Sequence, residues 1–575
     1  MVSISRKPSS ETIRGRSSDS YDPCQRIALR CIALIFVSLA LYVASTIEDV
    51  EVPTTPSLAL QQPPSRRQIW SRIARHAVVE KRRQLIRSLT SLRGGNGKIP
   101  IVRLQRLRDE HQIVGERLKD LQAGTKNIQE IILGGSAALL SSSAEHSQPP
   151  MKIDEILSYL DAWIHQLHET LRPLKLEGYE VIWQAYHDLT VKTLFPWDQE
   201  YLSRMPERRD DGSIFLSLAS YRDENCFNTL HWAYGNATNP EKLFTGLVQQ
   251  NCINNCKTGV LVGGVIQEAP PDDDCHDLFC RANPSYCGNI RHLFIDEDES
   301  LGPYAARYFA SKLWYGESWY LQVDAHMTFL KDWDSISIQM LNAAPTKKPV
   351  LSHYPPGHTD DLEKMAKRPT ERLCGPVFAG SQVEGQIVRL EGSGFYDKIK
   401  LKTPRFAPFT AAGYMVAHSN FLRDVPFDPF LPWIFMGEEI IMSSRLWTAG
   451  YDIYSPPQAV LGHMYVRRHK PKFWESVDRA LHPGVANMVK ELVLKRIKHQ
   501  LLYPECARDM VPKSLLTAVD FYSMGTERSL EEYLKIIGMN MLTKEITRTG
   551  WCEKGTPPPG MEQYAQLYET DEFQE

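Results

Sequence analysis

The chain has 575 residues, 42 % of them hydrophobic, and its 66 Lys/Arg against 69 Asp/Glu give a formal net charge of -3. That length exceeds one compact domain and leaves room for a catalytic body with appendages. So even a balance supplies none of the basic excess that a nucleic-acid partner demands.

The first 30 residues carry six basic side chains (Arg6, Lys7, Arg14, Arg16, Arg26, Arg30) against Glu11, Asp19 and Asp22. Residues 31–47, CIALIFVSLALYVASTI, hold no charge, and Glu48, Asp49 and Glu51 follow. That run lies at the short end of the roughly 17–25 residues a membrane span requires. Its basic flank comes first, so the positive-inside rule keeps the N-terminus cytoplasmic. The reading is a cytoplasmic tail (1–30), a single-pass type II signal anchor (31–47) and a lumenal remainder. A signal peptide cleaved near Val43-Ala44-Ser45 and a Ser-rich transit peptide are the competing readings.

Eleven cysteines fit an oxidising lumen. Six of them cluster, namely Cys226, Cys252, Cys256, Cys275, Cys280 and Cys287. With His276 the cluster admits a zinc reading, but its irregular spacings lack the paired CxxC pattern, so disulfides are expected. Asn236-Ala237-Thr238 is a usable glycan acceptor, whereas proline blocks Asn283-Pro284-Ser285.

Residues 51–66 carry four prolines and read as an extended linker. Between 101 and 121, Ile101, Leu104, Leu107, Val114, Leu118 and Leu121 form a short heptad-like stripe, long enough for a stem homodimer. A Gly/Ser-rich break (134–150) precedes an amphipathic helix marked by Ile153, Ile156, Leu157, Leu160, Ile164, Leu167 and Leu171. Either it forms a neck, so that 48–200 is linker and stem, or it packs on the body that follows.

From Ser213 the pattern changes. Strands are expected at 214–220, 243–249, 290–295 and 319–323, and helices at 227–234 and 304–314. That alternation implies an α/β fold with a mostly parallel sheet between helical layers. The body is taken as 201–505, with 506–575 a C-terminal extension.

Four segments carry chemistry. Ser217-Leu-Ala219-Ser-Tyr221-Arg222-Asp223 closes the first strand, at the edge where such sheets bind nucleotides. Tyr221 suits stacking on a base and Arg222 suits a phosphate. Gly302-Pro-Tyr-Ala-Ala-Arg307 places a second arginine on the helix before the strand that ends in Asp324-Ala-His326. One carboxylate and one imidazole there make a mixed O/N site suited to Mn²⁺ or Mg²⁺, and hence to the diphosphate of a nucleotide-sugar. His463, after a short apolar stretch, is a candidate to close that metal site, and Arg467, Arg468 and Lys470 form a basic cluster behind it. Glu438 and Glu439 open an apolar helix, where they serve either the helix dipole or an acceptor hydroxyl.

Together SIFLSLASYRD, LVQQNC, LGPYAARYFASKLWYGESWYLQVDAHMTFLKDWD, FMGEEIIMSSRLWTAGYDIYSPP and VLGHMYVRRH resemble the protist and algal polypeptide N-acetylglucosaminyltransferases, a family that includes the Skp1 hydroxyproline GlcNAc-transferase. The resemblance spans about 210–475. It implies a GT-A fold, UDP-GlcNAc as donor, a Mn²⁺-type ion, a polypeptide hydroxyl as acceptor and retention at the anomeric carbon. It carries Asp324 and His326 over as the metal-binding Asp-x-His, and analogy with mucin-type GalNAc-transferases makes His463 the third ligand. The apparent anchor departs from the cytosolic Skp1 enzyme and implies a Golgi or ER membrane protein.

Overall fold

A computed structural model describes residues 148–564, apart from 263–264, 379–386, 392–395, 397–401, 468–469 and 482–483. The expected tail, anchor, linker and heptad stripe lie outside the described residues, as does Arg468. Among the described residues, no helix is long and apolar enough to cross a membrane.

An eight-stranded mixed sheet forms the centre. Its strands, in chain order, are β1 (Ile214–Tyr221), β2 (Leu243–Asn251), β3 (Ile290–Asp296), β4 (Trp319–Asp324), β5 (Pro349–Ser352), β6 (Arg405–Phe406), β7 (Tyr414–His418) and β8 (Asp452–Ser455). The spatial order is β6-β8-β5-β7-β4-β1-β2-β3. β1, β2, β3 and β4 run parallel, whereas β7 is antiparallel to both its neighbours. The expected strands and helices of this region are present within one or two residues at each end.

Both faces of the sheet are covered, which is why β1 reads as a nearly unbroken apolar and small-residue run. Alternate residues feed different cores, because side chains in a strand point to opposite faces. Phe215 joins one cluster with Val248 and Tyr320, and Leu216 joins the other with Leu247 and Leu321.

Of the two readings of the amphipathic helix, a neck or a helix packed on the body, the second holds. α1 (Ile153–Leu171) buries Ile156, Leu160, Trp163, Ile164, Leu167 and Leu171 in the cluster that holds Phe215. α2 (Tyr179–Leu189) and α3 (Phe195–Ser203) follow it in. Trp183 Nε1 donates to Ser514 Oγ at 2.9 Å and Tyr186 OH to the Pro429 carbonyl at 2.6 Å. Residues 148–200 belong to the same compact unit as the body that follows, so the boundary placed at residue 200 falls inside it. An apolar stripe shows that a helix must bury one face, not against what.

The tail after 506 is stitched to the same body. Tyr533 OH donates to the Pro408 carbonyl at 2.7 Å, and Cys552 is bonded to Cys374. The cysteine cluster forms three further disulfides, Cys226–Cys275, Cys252–Cys256 and Cys280–Cys287, and Cys506 is a buried free thiol. His276 lies near Cys280 and Cys287, but those two sulfurs are bonded to each other and offer no thiolate to a metal.

Candidate active site

The carboxyl ends of β1, β2 and β4 open into a cavity of about 590 Å³. Asp324 closes β4, in register with Ala219 of β1. Three residues on, Met327–Phe329 forms a short strand that pairs antiparallel with Leu461–His463. That pairing sets His463 opposite Met327, and the Met464 amide donates to the His326 carbonyl at 3.1 Å. Two short strands, far apart in the chain, thus bring His463 to the Asp-x-His turn.

One ligand atom from each of Asp324, His326 and His463 falls within 4.8 Å of the other two. His463 Nε2 lies 3.2 Å from Asp324 Oδ2 and 3.1 Å from His326 Nε2. His326 Nδ1 faces Asp223 Oδ2 at 2.7 Å. A carboxylate there holds the proton on Nδ1 and leaves a lone pair on Nε2. Behind His463, Nδ1 is buried without a hydrogen-bond partner. One carboxylate oxygen and two converging imidazole nitrogens form a donor set that a divalent cation such as Mn²⁺ fits.

Charge is concentrated around this point. Arg307, on α4 (Pro303–Lys312), donates to Asp324 Oδ1 at 2.7 Å and to Glu438 Oε2. Burial opposes ionisation of Asp324, but His463 and Arg307 outweigh it and hold its carboxyl well below the usual range. His326 also resists burial, since Asp223 and Asp324 raise its pKa. Gly413 makes room for the Asp324 carboxylate, because a Cβ there would stand 2.8 Å from Oδ2.

Glu438 and Glu439 open α5 (Glu438–Thr448) behind Gly437, whose φ of 96° suits only glycine. Both line the cavity, with different partners. Glu438 is 3 % exposed and tied to Arg307. Glu439 is less buried, with Oε2 accepting from Tyr354 OH at 2.9 Å and Oε1 from the Ala412 amide at 3.1 Å. Burial pushes the Glu439 carboxyl up to about 7, outweighing those two donors.

The residues expected to hold the nucleotide divide. Ala219, Tyr221, Gly302 and Arg307 line the cavity. Gly302 precedes α4 with a φ of 91°, and a Cβ on it would stand 2.9 Å from the Phe473 ring. Ser217 does not reach the cavity, since it lies two residues further from the edge, buried between Gly246 and Gln322. Arg222 is turned away by a φ of 46°. Its fully buried guanidinium pairs with Asp272 at 2.7 Å and Glu297 at 2.7 Å, so it braces the turn and offers nothing to a phosphate. The cation that reaches the cavity beside this turn is Arg467, which donates to Asp223 Oδ2 at 2.8 Å and to the Tyr221 carbonyl at 3.0 Å.

Asp223, Tyr354 and Gly413 were not singled out from the sequence. Asp223 stands in the quoted turn beside Arg222, but nothing in that spelling says which of the two faces the site. Tyr354 and Gly413 carry no sequence signal.

The family model for glycosyltransferase (GlcNAc) matches residues 213–543. The chain belongs to this glycosyltransferase family. All of the residues just described fall inside the match, whereas α1, α2 and α3 precede it. A putative polypeptide N-acetylgalactosaminyltransferase 13 of Drosophila melanogaster is 35 % identical over 85 residues, which is 15 % of this chain and 15 % of that protein. Among solved structures, GalNAc-T7 with UDP, GalNAc and Mn²⁺ shares 14 % identity over 57 % of this glycosyltransferase and 60 % of that chain, with a TM-score of 0.34. S. aureus TarS 1-349 in complex with UDP-GlcNAc shares 12 % identity over 60 % and 98 % respectively, with a TM-score of 0.28.

Proposed function

We propose that this glycosyltransferase moves GlcNAc from UDP-GlcNAc to a Ser, Thr or hydroxyproline hydroxyl of a polypeptide, with retention, on a GT-A-type fold. One observation carries the reading: Asp324, His326 and His463 converge at the carboxyl edge of the sheet, across one cavity from Glu439. A divalent ion held by the three would stabilise the negative charge that builds on the departing UDP. The protein's own groups do the rest. Ala219 and Tyr221 border the nucleotide end, and Arg467 supplies positive charge there. Arg307 orients the Asp324 carboxylate and neutralises Glu438.

Glu439 is the residue placed to orient the acceptor hydroxyl or take its proton, because its carboxyl faces the cavity with a pKa near neutrality. Glu438, held by Arg307, positions that arginine instead. The charge-free run at 31–47 supports a type II anchor that places the body in the Golgi lumen, and the four disulfides suit that compartment. The stripe at 101–121 would pair two copies through the stem.

UDP release by the full chain, measured against a panel of UDP-sugars with and without Mn²⁺, tests the assignment. Fastest turnover of UDP-GlcNAc, lost on chelation, is the expected result. Preference for UDP-GalNAc would move the donor assignment, and no turnover of any donor would leave a binding protein of the same fold.

A further inference from the structure

We infer that Asp223 is a positioning residue that ties metal capture to nucleotide binding through a single carboxylate oxygen. The inference rests on the metal and nucleotide reading above and names how its two halves are joined.

Asp223 is almost fully buried, its side chain 1 % exposed. Its Oδ2 faces His326 Nδ1 at 2.7 Å and accepts from Arg467 Nη1 at 2.8 Å. Its Oδ1 accepts from the Asn225 amide at 3.0 Å, where the next helix begins. The first contact fixes the imidazole tautomer, so that His326 Nε2 presents its lone pair to the point shared with Asp324 and His463. The second fixes the guanidinium of the arginine nearest the nucleotide end. Arg467 Nη1 also donates to the Tyr221 carbonyl at 3.0 Å, and Nη2 to the Pro471 carbonyl at 2.9 Å.

Arg467 lies four residues beyond His463, a candidate ligand, and Asp223 two residues beyond Tyr221 at the end of β1. The Asp223–Arg467 contact therefore draws the segment after His463 onto the turn that borders the nucleotide. A carboxylate that only capped a helix would need Oδ1 and nothing more. Placing Oδ2 between a ligand imidazole and an arginine makes the orientation of either one depend on the other.

The test compares Asp223→Asn, Arg467→Met and the double variant in the full chain. Calorimetry reads Mn²⁺ alone, then UDP at saturating Mn²⁺. Asp223→Asn keeps the Oδ1 acceptor but removes the charge behind His326, so its Mn²⁺ affinity should fall by about 10–100-fold. Arg467→Met should weaken UDP and, through the shared oxygen, should also lower Mn²⁺ affinity, by less than Asp223→Asn does; Mn²⁺ affinity unchanged in Arg467→Met overturns the tie. The double variant should lose no more UDP affinity than the weaker of the two single variants, since both break one tie. Asp324→Ala is the control, expected to lose Mn²⁺ uptake.

Wild-type protein that takes up no Mn²⁺, or Asp324→Ala protein that still does, overturns the metal reading and this inference with it. If the wild type binds and Asp223→Asn binds equally well, the inference falls and the metal reading stands. Additive losses of UDP affinity in the double variant overturn the tie alone. Should Asp223→Asn fail to fold, Asp223→Ser carries the same comparison, because its hydroxyl can still accept from the Asn225 amide.

Discussion

Two aspartates, Asp198 and Asp324, each sit among cations and hydrogen-bond donors, and the protein treats them in opposite ways. Asp198 is wholly buried. Lys312 Nζ lies 2.5 Å from its Oδ1, Tyr308 OH donates to Oδ1 at 3.0 Å and Tyr522 OH to Oδ2 at 2.5 Å. Both oxygens are served from within the chain, and Lys312 also stands over the Tyr201 and Tyr308 rings. Asp324 keeps a side chain 25 % exposed to the cavity; its Oδ1 accepts from Arg307, and its Oδ2 lies 3.2 Å from His463 Nε2, which in turn lies 3.1 Å from His326 Nε2. The first cluster is complete and joins the N-terminal helices to the tail. The second also has a partner for each oxygen, but it opens onto the cavity, where a divalent ion would replace the contacts among Asp324, His326 and His463. Buried charge marks a candidate functional site when it gathers ligand-type groups at the edge of a cavity.

Substitutions can break that contrast. Asp324→Ala should have the largest effect, cutting transfer by about 10³-fold or more, since a metal contact is worth several kcal/mol in the transition state. Its melting temperature should fall less than that of Lys312→Met, since Arg307 keeps Glu438 as a partner; transfer rates retained in the presence of a chelator would show that no metal acts there. Lys312→Met should do the reverse. Removing one partner of a buried pair costs about 3–5 kcal/mol, visible as a lower denaturant midpoint, while the KM for the donor stays put in whatever protein remains folded.

Gly413→Ala sharpens the comparison, because it removes neither a charge nor a ligand atom. Its Cβ would press on Asp324 Oδ2, and a displacement of about 1 Å near reacting groups costs about 10²-fold in rate. An unchanged rate would mean that the carboxylate has room to move. The smallest effect concerns pH. The Glu439 carboxyl is raised from 4.5 to about 7 in the folded protein, so the folded state holds a proton that the unfolded chain has released. Its contribution to stability is therefore full below about 4.5, declines as pH rises, and is gone above about 7. Glu439→Gln should flatten that slope in denaturation curves taken across this window, and should also slow transfer by about 10²-fold or more without weakening UDP.

How much of this was legible in the sequence varied with the range of the interaction. Asp324 and His326 stand out because an apolar strand stops abruptly in two ligand-type residues, a local signal. His463 depends on two three-residue strands that meet across the chain, too short to announce themselves, and it needed the family resemblance. Arg222 looked like the phosphate ligand, but a positive φ turns it into the body and hands the site to its neighbour Asp223. Nothing in the residue types foretells that reversal. α1 was legible as a helix with one apolar stripe, yet the stripe suits a neck as well as a body. The six clustered cysteines allow 15 pairings, and spacing alone does not choose among them.

The Cys374–Cys552 bond joins residues 178 apart in sequence, making everything between them a covalent ring that contains Glu439 and His463. The family match stops at residue 543, short of that clasp. A chain ended there would leave Cys374 as an unpaired thiol and strip Arg372 of its acceptors on Cys552 and Glu553. A single proteolytic cut inside the ring would behave differently, since both pieces stay linked until a reductant is added. The region that defines the family therefore contains one end of the bond that closes this ring and lacks the other.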